Sequence, residues 1–344
     1  MAAAACAEAP EDQSPGDSTE EAYRACMVTD IGGINDRSFN ASAWAGLEQA
    51  AAQQPGIDPT YVASDAEDDY IPNLTGFVEE GCDFILAVGG LMYNQTKEVA
   101  AANPEQQFGI VDANVDEPNV YPMEFDTAQA AFLAGYLAAG YSESGIVATY
   151  GGMQIDPVTI FMDGFVDGVA HYNEVKGADV QVLGWNKETQ EGSFTEDFVD
   201  QALGKSISDA FVAQGADVIM PVAGGAGLGT ADAALASGGE YAVIWVDVDG
   251  CESAEQYCSV FLTTVVKNIP LAVQDAVLAA YGSDGLTTGS FYGTLENGGV
   301  ALAPYHEFED DIPDELKAEV EQLKQDIIDG TIVVESPAKP QAAG

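Results

Sequence analysis

The sequence predicts an α/β protein of two domains, each built on a doubly wound parallel sheet. Three observations carry this. Short apolar runs of strand length alternate with helical runs of about 10–15 residues, the rhythm of right-handed βαβ units. That rhythm runs from Ala25 to Phe125 and restarts at Gly145, giving two runs of similar length. The chain has 344 residues, 47% of them apolar, enough for two ordinary cores, and its 37 glycines and 15 prolines suit many tight connections.

The first run opens with the apolar strand Ala25–Val28. The polar loop Asp30–Asn40 follows, with Asn35, Asp36 and Ser38 as candidate caps for a helix over Ala41–Gln53. Tyr61–Ala63 reads as the second strand, Tyr70–Glu80 as a helix and Asp83–Val88 as the third strand. Tyr93–Ala102 is helical, and strands Gln107–Asp112 and Val120–Phe125 complete the run. Thr127–Tyr141 is a strong helix rich in Ala and Leu. The second run reads strand Gly145–Tyr150, helix Val158–Asn173, strand Asp179–Gly184, helix Phe198–Gln214, strand Asp217–Pro221, helix Gly229–Ser237 and strand Tyr241–Val246.

Asp and Glu number 57 against 10 Lys and Arg, a net charge of -47. Such a surface repels phosphate backbones, which excludes nucleic-acid binding. The acidity is spread along the chain rather than gathered in one tail, and reads as a solvated surface adapted to high salt. Any lysine beside a cleft therefore stands out. No apolar run reaches the roughly 18–20 residues of a membrane span.

Of five cysteines, Cys251 and Cys258 bracket a short acidic loop, while Cys26 and Cys82 stand at two strands that can be neighbours. Two disulfides and an exported compartment form one consistent reading; five reduced buried thiols form the other. No Cys-x-x-Cys pair exists and the two histidines are far apart, so neither zinc nor any cofactor is expected. Cys6 follows Ala3-Ala4-Ala5, like the end of a bacterial lipoprotein signal, and residues 7–22 carry no large apolar side chain and read as a tether.

Open α/β sheets bind ligands beyond the carboxyl ends of their strands. The candidates there are Asp30, Gly89, Asp112, Gly151-Gly152 with Met153, Trp185, Gly224-Gly225 and Asp247. Phe39 is either a staple for the helix that follows or a ring offered to a ligand. The run Gly224–Gly229 lacks a lysine beside it and reads as a turn whose bare backbone approaches a neutral ligand, not as a phosphate cradle. Lys267 is one of only ten cations. Catalysis finds little support: there is no Gly-x-Ser-x-Gly and no His-Glu-x-x-His, and His171 and His306 read as packing or surface residues.

Met27-Val-Thr-Asp-Ile-Gly-Gly-Ile-Asn-Asp-Arg-Ser-Phe-Asn40 with Trp44-Ala-Gly46 resembles the first motif of the basic membrane protein family, the purine nucleoside receptor A-like lipoproteins. Phe132–Ala139, Gly215–Ile219, Val246–Asp249, Lys267-Asn268 and Gly293–Gly299 resemble its later motifs, in the right order. The resemblance implies a monomeric, lipid-anchored substrate-binding protein of an ABC transporter, with Cys6 lipidated, serving a membrane permease. It also implies a type I periplasmic-binding fold whose two lobes, joined by three crossovers, close on a nucleoside, a purine being favoured. Phe39 maps onto one base-stacking aromatic and Phe198 onto the other, with Phe194 and Trp185 as rivals. Asp30 and Asp112 map onto the base contacts, Asp247 and Lys267 onto the ribose contacts, and Asn35, Ser38 and Asn40 stand beside Phe39. The expected lobes are 23–125 with 248–264, and 126–247 with 265–335, behind the tether 1–22. The expected disulfides are Cys26–Cys82 and Cys251–Cys258. A sensor of the same fold, a receptor for a flavin or sugar, and a nucleoside-cleaving enzyme remain as alternatives; free base released from a nucleoside would mark the last.

Overall fold

The computed structural model describes residues 22–282 and 289–340. Cys6 and nearly all of the expected tether lie outside the described residues. In chain order the first lobe runs β1 (Tyr23–Val28), α1 (Phe39–Gln53), β2 (Ile57–Val62), α2 (Tyr70–Glu79), β3 (Phe84–Val88), α3 (Tyr93–Ala102), β4 (Gln107–Val111) and β5 (Val120–Phe125). After α4 (Thr127–Tyr141) come β6 (Ile146–Gly151), α5 (Asp156–Lys176), β7 (Gln181–Leu183), the hairpin β8 (Trp185–Asn186) and β9 (Glu191–Gly192), α6 (Gln201–Val212), β10 (Val218–Val222), α7 (Leu228–Ala236) and β11 (Ala242–Asp247). The chain ends with α8 (Gly250–Ser253), β12 (Phe261–Lys267), α9 (Ile269–Tyr281), β13 (Phe291–Gly293), β14 (Val300–Leu302) and α10 (Asp314–Ile328).

Two six-stranded sheets result, in the orders β13-β5-β4-β3-β1-β2 and β14-β12-β11-β10-β6-β7. All neighbours are parallel except β12 and β14. The central strands are buried apolar runs, because helices cover both sheet faces. β2 begins earlier than its sequence suggests. Asp58 and Pro59 look like a turn, yet β2 is an edge strand, where a residue without an N–H is tolerated.

Strand pairing corrects the expected lobes. β11 and β12 are neighbours, Val246 opposite Val265, so residues 248–260 and their cysteine loop stay with the second sheet instead of crossing to the first. The acidic, disulfide-bounded segment is a βαβ connection, not a hinge. The chain crosses between β5 and α4, between β12 and α9, and between β13 and β14. Residues 265–335 therefore do not all join the second lobe: α9 packs on α1, where a Cβ on Gly46 would lie 2.7 Å from Val273 Cβ, and β13 pairs with β5.

α4 is apolar around its whole circumference and is buried against α5, α10 and the second sheet. Its contact with α5 is backbone to backbone. A Cβ on Gly168 would collide with the Phe132 carbonyl, and one on Gly135 with that of Phe165. Both expected disulfides are present, Cys26–Cys82 with Cα atoms 6.1 Å apart and Cys251–Cys258 with 4.6 Å. Among the described residues no helix is long and apolar enough to cross a membrane.

Candidate functional site

The carboxyl ends of β1, β3, β4, β10, β11 and β12 converge on a cleft between the sheets, with about 600 Å³ of empty space, open mouth included. Asp30, Phe39, Asn40, Gly89, Asp112, Phe198, Gly224, Gly225, Asp247 and Lys267 all line it.

The loop after β1 is organised by Asp36. Its carboxylate accepts hydrogen bonds from the backbone N–H groups of Ser38, Asn40 and Ala41 at 3.0, 2.7 and 3.1 Å, and so caps α1. Asn40 Nδ2 donates to Asp36 at 3.1 Å and to Asp30 Oδ1 at 2.7 Å. Asp30 Oδ1 also accepts from Gly32 N–H at 2.9 Å, while Oδ2 faces Gly89, where a Cβ would come within 2.9 Å. Burial pushes the Asp30 carboxyl up to about 6, against the Asn40 and Gly32 hydrogen bonds that favour its ionised form. Burial likewise raises Asp36.

Asp112 follows β4 and Asp247 ends β11, both in left-handed backbone, with φ of 64° and 71°. Non-glycine residues seldom adopt that conformation, and it collects at binding sites. Lys267 Nζ donates to Asp112 Oδ2 at 2.7 Å, both side chains being buried. Burial raises the Asp112 carboxyl and the Lys267 ammonium opposes that rise. The ammonium also lies 5.2, 5.3 and 5.7 Å from the rings of Phe39, Phe161 and Phe125, within cation–π range. Lys267 thus pairs with Asp112 rather than with Asp247. Asp247 instead accepts from Ser38 Oγ at 2.6 Å, and Ser38 also donates to Val246 O at 3.3 Å. These bonds join the first lobe's loop to the second lobe's strand, so the lobes are closed on each other.

Four expected residues fall outside the lining. Asn35 is exposed and Met153 half-buried away from the cavity. Ser38 is buried on Asp247. Trp185 donates from Nε1 to Asp163 at 2.8 Å and stands edge-on to Phe194 at 5.9 Å, so both rings pack within the second lobe. Phe198 is left facing the cleft: Asp200 caps α6 through Leu203 N–H, so the helix starts after Phe198 and the ring lies over Gly152 and Gly224. Sequence reasoning missed Ile155, Pro157, Val158 and Phe161, which form an apolar wall from the start of α5. Their helical spacing reads as core, and only Pro157 at a helix start beyond a strand signals a cleft position. His171 packs against Phe132 and Tyr136, and His306 pairs with Asp249 at 2.7 Å, both away from the cleft.

A family profile described as "ABC transporter substrate-binding protein PnrA-like" matches residues 24–337. The nucleoside-binding protein BmpA of an ABC transporter in Lactococcus lactis is 32% identical, over 91% of this chain and 89% of its own length. A CD4+ T-cell-stimulating antigen of Listeria monocytogenes is 31% identical, with 92% and 89% covered. An ABC-transporter solute-binding protein from Aeropyrum pernix superposes with a TM-score of 0.81 at 25% identity, covering 91% of this chain and 93% of that one. One from Conexibacter woesei gives 0.69 at 21% identity, with 91% and 98% covered. The shared architecture is the two-lobed periplasmic-binding-protein fold.

Proposed function

Because this chain belongs to the PnrA-like family of ABC-transporter substrate-binding proteins, we propose that it captures a nucleoside, preferably a purine nucleoside, in the interlobe cleft and delivers it to an ABC importer. A substrate-binding role, not an enzymatic one, is the family's activity. The observation that carries the proposal is the division of the cleft: aromatic and aliphatic walls from Phe39, Phe161, Phe198 and Pro157, with carboxylates and one ammonium at the strand ends. A flat base is served by ring faces at Phe39 and Phe198. Asp30 offers an acceptor to base N–H groups. The ribose hydroxyls fall to Asp247 and Lys267, with Asp112 holding the ammonium in place. Asp30, Asp36, Asp112 and Asp247 outnumber Lys267 in the lining, which favours a neutral nucleoside over its phosphates. The nucleoside-binding name of the Lactococcus lactis relative supports the same ligand class. We assign the receptor to the outer face of the membrane, as a monomer held by a lipid on Cys6.

Titration calorimetry with guanosine, inosine, adenosine and cytidine, and with glucose and riboflavin for contrast, tests the ligand class. Saturable binding of a nucleoside, weakened on the order of tenfold to a hundredfold for its 2′-deoxy form by loss of a charged hydrogen bond, is expected. Binding of the sugar or the flavin with no response to any nucleoside overturns it.

A further inference from the structure

Away from the cleft, His306 holds a left-handed backbone with φ of 45°, a conformation that non-glycine residues seldom adopt. Strand β14 runs antiparallel to β12, so it carries the chain back toward the start of β12 and sets His306 beside the disulfide-bounded loop. The turn His306–Phe308 packs there against the turn Glu255–Val260. The imidazole Nε2 stands 2.7 Å from Asp249 Oδ2, on a residue 57 positions earlier in the chain. Asp249 is itself fixed, because its Oδ1 accepts from Cys251 N–H at 3.0 Å and caps α8.

Donors from three residues therefore converge. A carboxylate oxygen of Asp249, a ring nitrogen of His306 and Cys251 Sγ all lie within 4.8 Å of one another. Cys258 Sγ is bonded to Cys251 Sγ, which makes it the fourth. Bond lengths to zinc place the donors of a tetrahedral site roughly 3.3–3.8 Å apart, so small side-chain shifts bring these four onto one ion. The sequence reading expects no zinc, since it finds neither Cys-x-x-Cys nor neighbouring histidines. The fold assembles the donors instead, through the return of β14.

We propose that, while Cys251 and Cys258 are reduced, their two thiolates together with His306 and Asp249 bind one divalent ion of the zinc type, so that metal and disulfide are alternative clasps of the same loop. Binding releases the two thiol protons. Oxidation is exchange with a disulfide oxidant: the Cys251–Cys258 bond forms, the oxidant's S–S bond breaks and takes up two protons to become two thiols, and the ion leaves. Exposed Glu252 and Glu255 lie between the cysteines and draw a cation toward the loop. The clasp bears on the closed lobes as well. Between the cysteines, Gln256 Oε1 accepts from Arg37 Nη1 of the first lobe at 3.0 Å, next in sequence to Ser38 and its bond to Asp247. Either clasp keeps Gln256 at that contact.

Cobalt is the probe for the site. Its thiolate complexes show a near-ultraviolet charge-transfer band that carboxylate complexes lack, which matters because a chain of charge -47 collects divalent ions over its whole surface. The full chain, reduced with a water-soluble phosphine that leaves as its oxide, is titrated with cobalt and then with zinc. The thiolate band is expected to saturate at one equivalent and to bleach on addition of zinc, and the oxidised chain is expected to show none. His306→Ala should weaken zinc binding at least about tenfold, read by competition with a chromophoric chelator. In the reduced wild type, one equivalent of zinc should protect Cys251 and Cys258 from alkylation while leaving the reactivity of Cys26 and Cys82 unchanged, as mass spectrometry of the peptides will read. A reduced chain without the thiolate band, the same band in the oxidised chain, undiminished zinc binding by His306→Ala, or alkylation of Cys251 and Cys258 indifferent to zinc overturns the proposal.

Discussion

Asp30 shows how one buried carboxylate sets a pH response. Its folded pKa of about 6 stands above the ordinary value of 3.8, so between those values the folded chain binds the proton more tightly than the unfolded chain. The contribution to stability is then fully present below the lower value and is lost as pH rises through about 6. Asp30→Asn removes this dependence while leaving an oxygen for Gly32 and Asn40. It should raise stability at pH 7 relative to wild type by about 3 kcal/mol, with the difference vanishing below pH 3.8, as urea titrations across that range will read. Lys267→Met should act in the opposite sense. It strands Asp112 without its cation and should cost about 3–5 kcal/mol at neutral pH, measured by the same titrations. Single residues were only partly legible in the sequence. Asp30, Asp112, Asp247 and Lys267 stand at or just beyond strand ends, so topology points them at the cleft, whereas Phe39 is singled out only by the motif it shares with the family. Asp36 could not be told from Asn35 or Ser38 as the cap, because all three residue types accept from N–H groups and only the turn of the loop selects one. Trp185 follows a strand as well, but that strand is a sheet edge and its indole is claimed by Asp163.

At the level of elements, the α4–α5 contact is set by what is missing from Gly135 and Gly168. Gly168→Val has no room to relax except by separating two helices through their backbones. It should destabilise by about 3 kcal/mol, at the upper end of overpacking costs, whereas Gly177→Ala, with nothing near its would-be Cβ, should lose only the smaller cost of a left-handed residue. Denaturant midpoints of the two variants will separate these outcomes. Most elements were legible because apolar runs of strand length alternate with helical ones. Starts were less so. The onset of α6 shifts from Phe198 to Gln201 because Asp197 and Asp200 bind the backbone locally, a competition between side chain and helix that periodicity does not register. The second crossover was displaced from Asp247 to Asn268, because an acidic loop closed by a disulfide looks the same in sequence whether it leaves a sheet or returns to it.

For the whole molecule, a charge of -47 repels itself most when the chain is compact. Added potassium chloride shortens the reach of that repulsion to about 3 Å at 1 M. The melting temperature is therefore expected to climb as potassium chloride rises from 0.05 M toward 1 M at constant pH. Scanning calorimetry reads this directly, and a flat response would show that the exposed carboxylates are already neutralised by their own environment.

The interleaving of the first lobe also dictates an order of events as the chain emerges from its N-terminus. β1 to β5 appear early, yet the α1 face around Gly46 stays bare until α9 follows, and the outer side of β5 has no partner until Phe291–Gly293 arrives. By then the strands of the second lobe, apart from β14, have all been made. An open apolar strand edge is an invitation to mispair, so the first lobe spends most of its synthesis in need of protection. The short strand β13 ends that exposure and leads straight into the third crossover, so the first lobe's sheet is closed before β14 and α10 complete the second lobe.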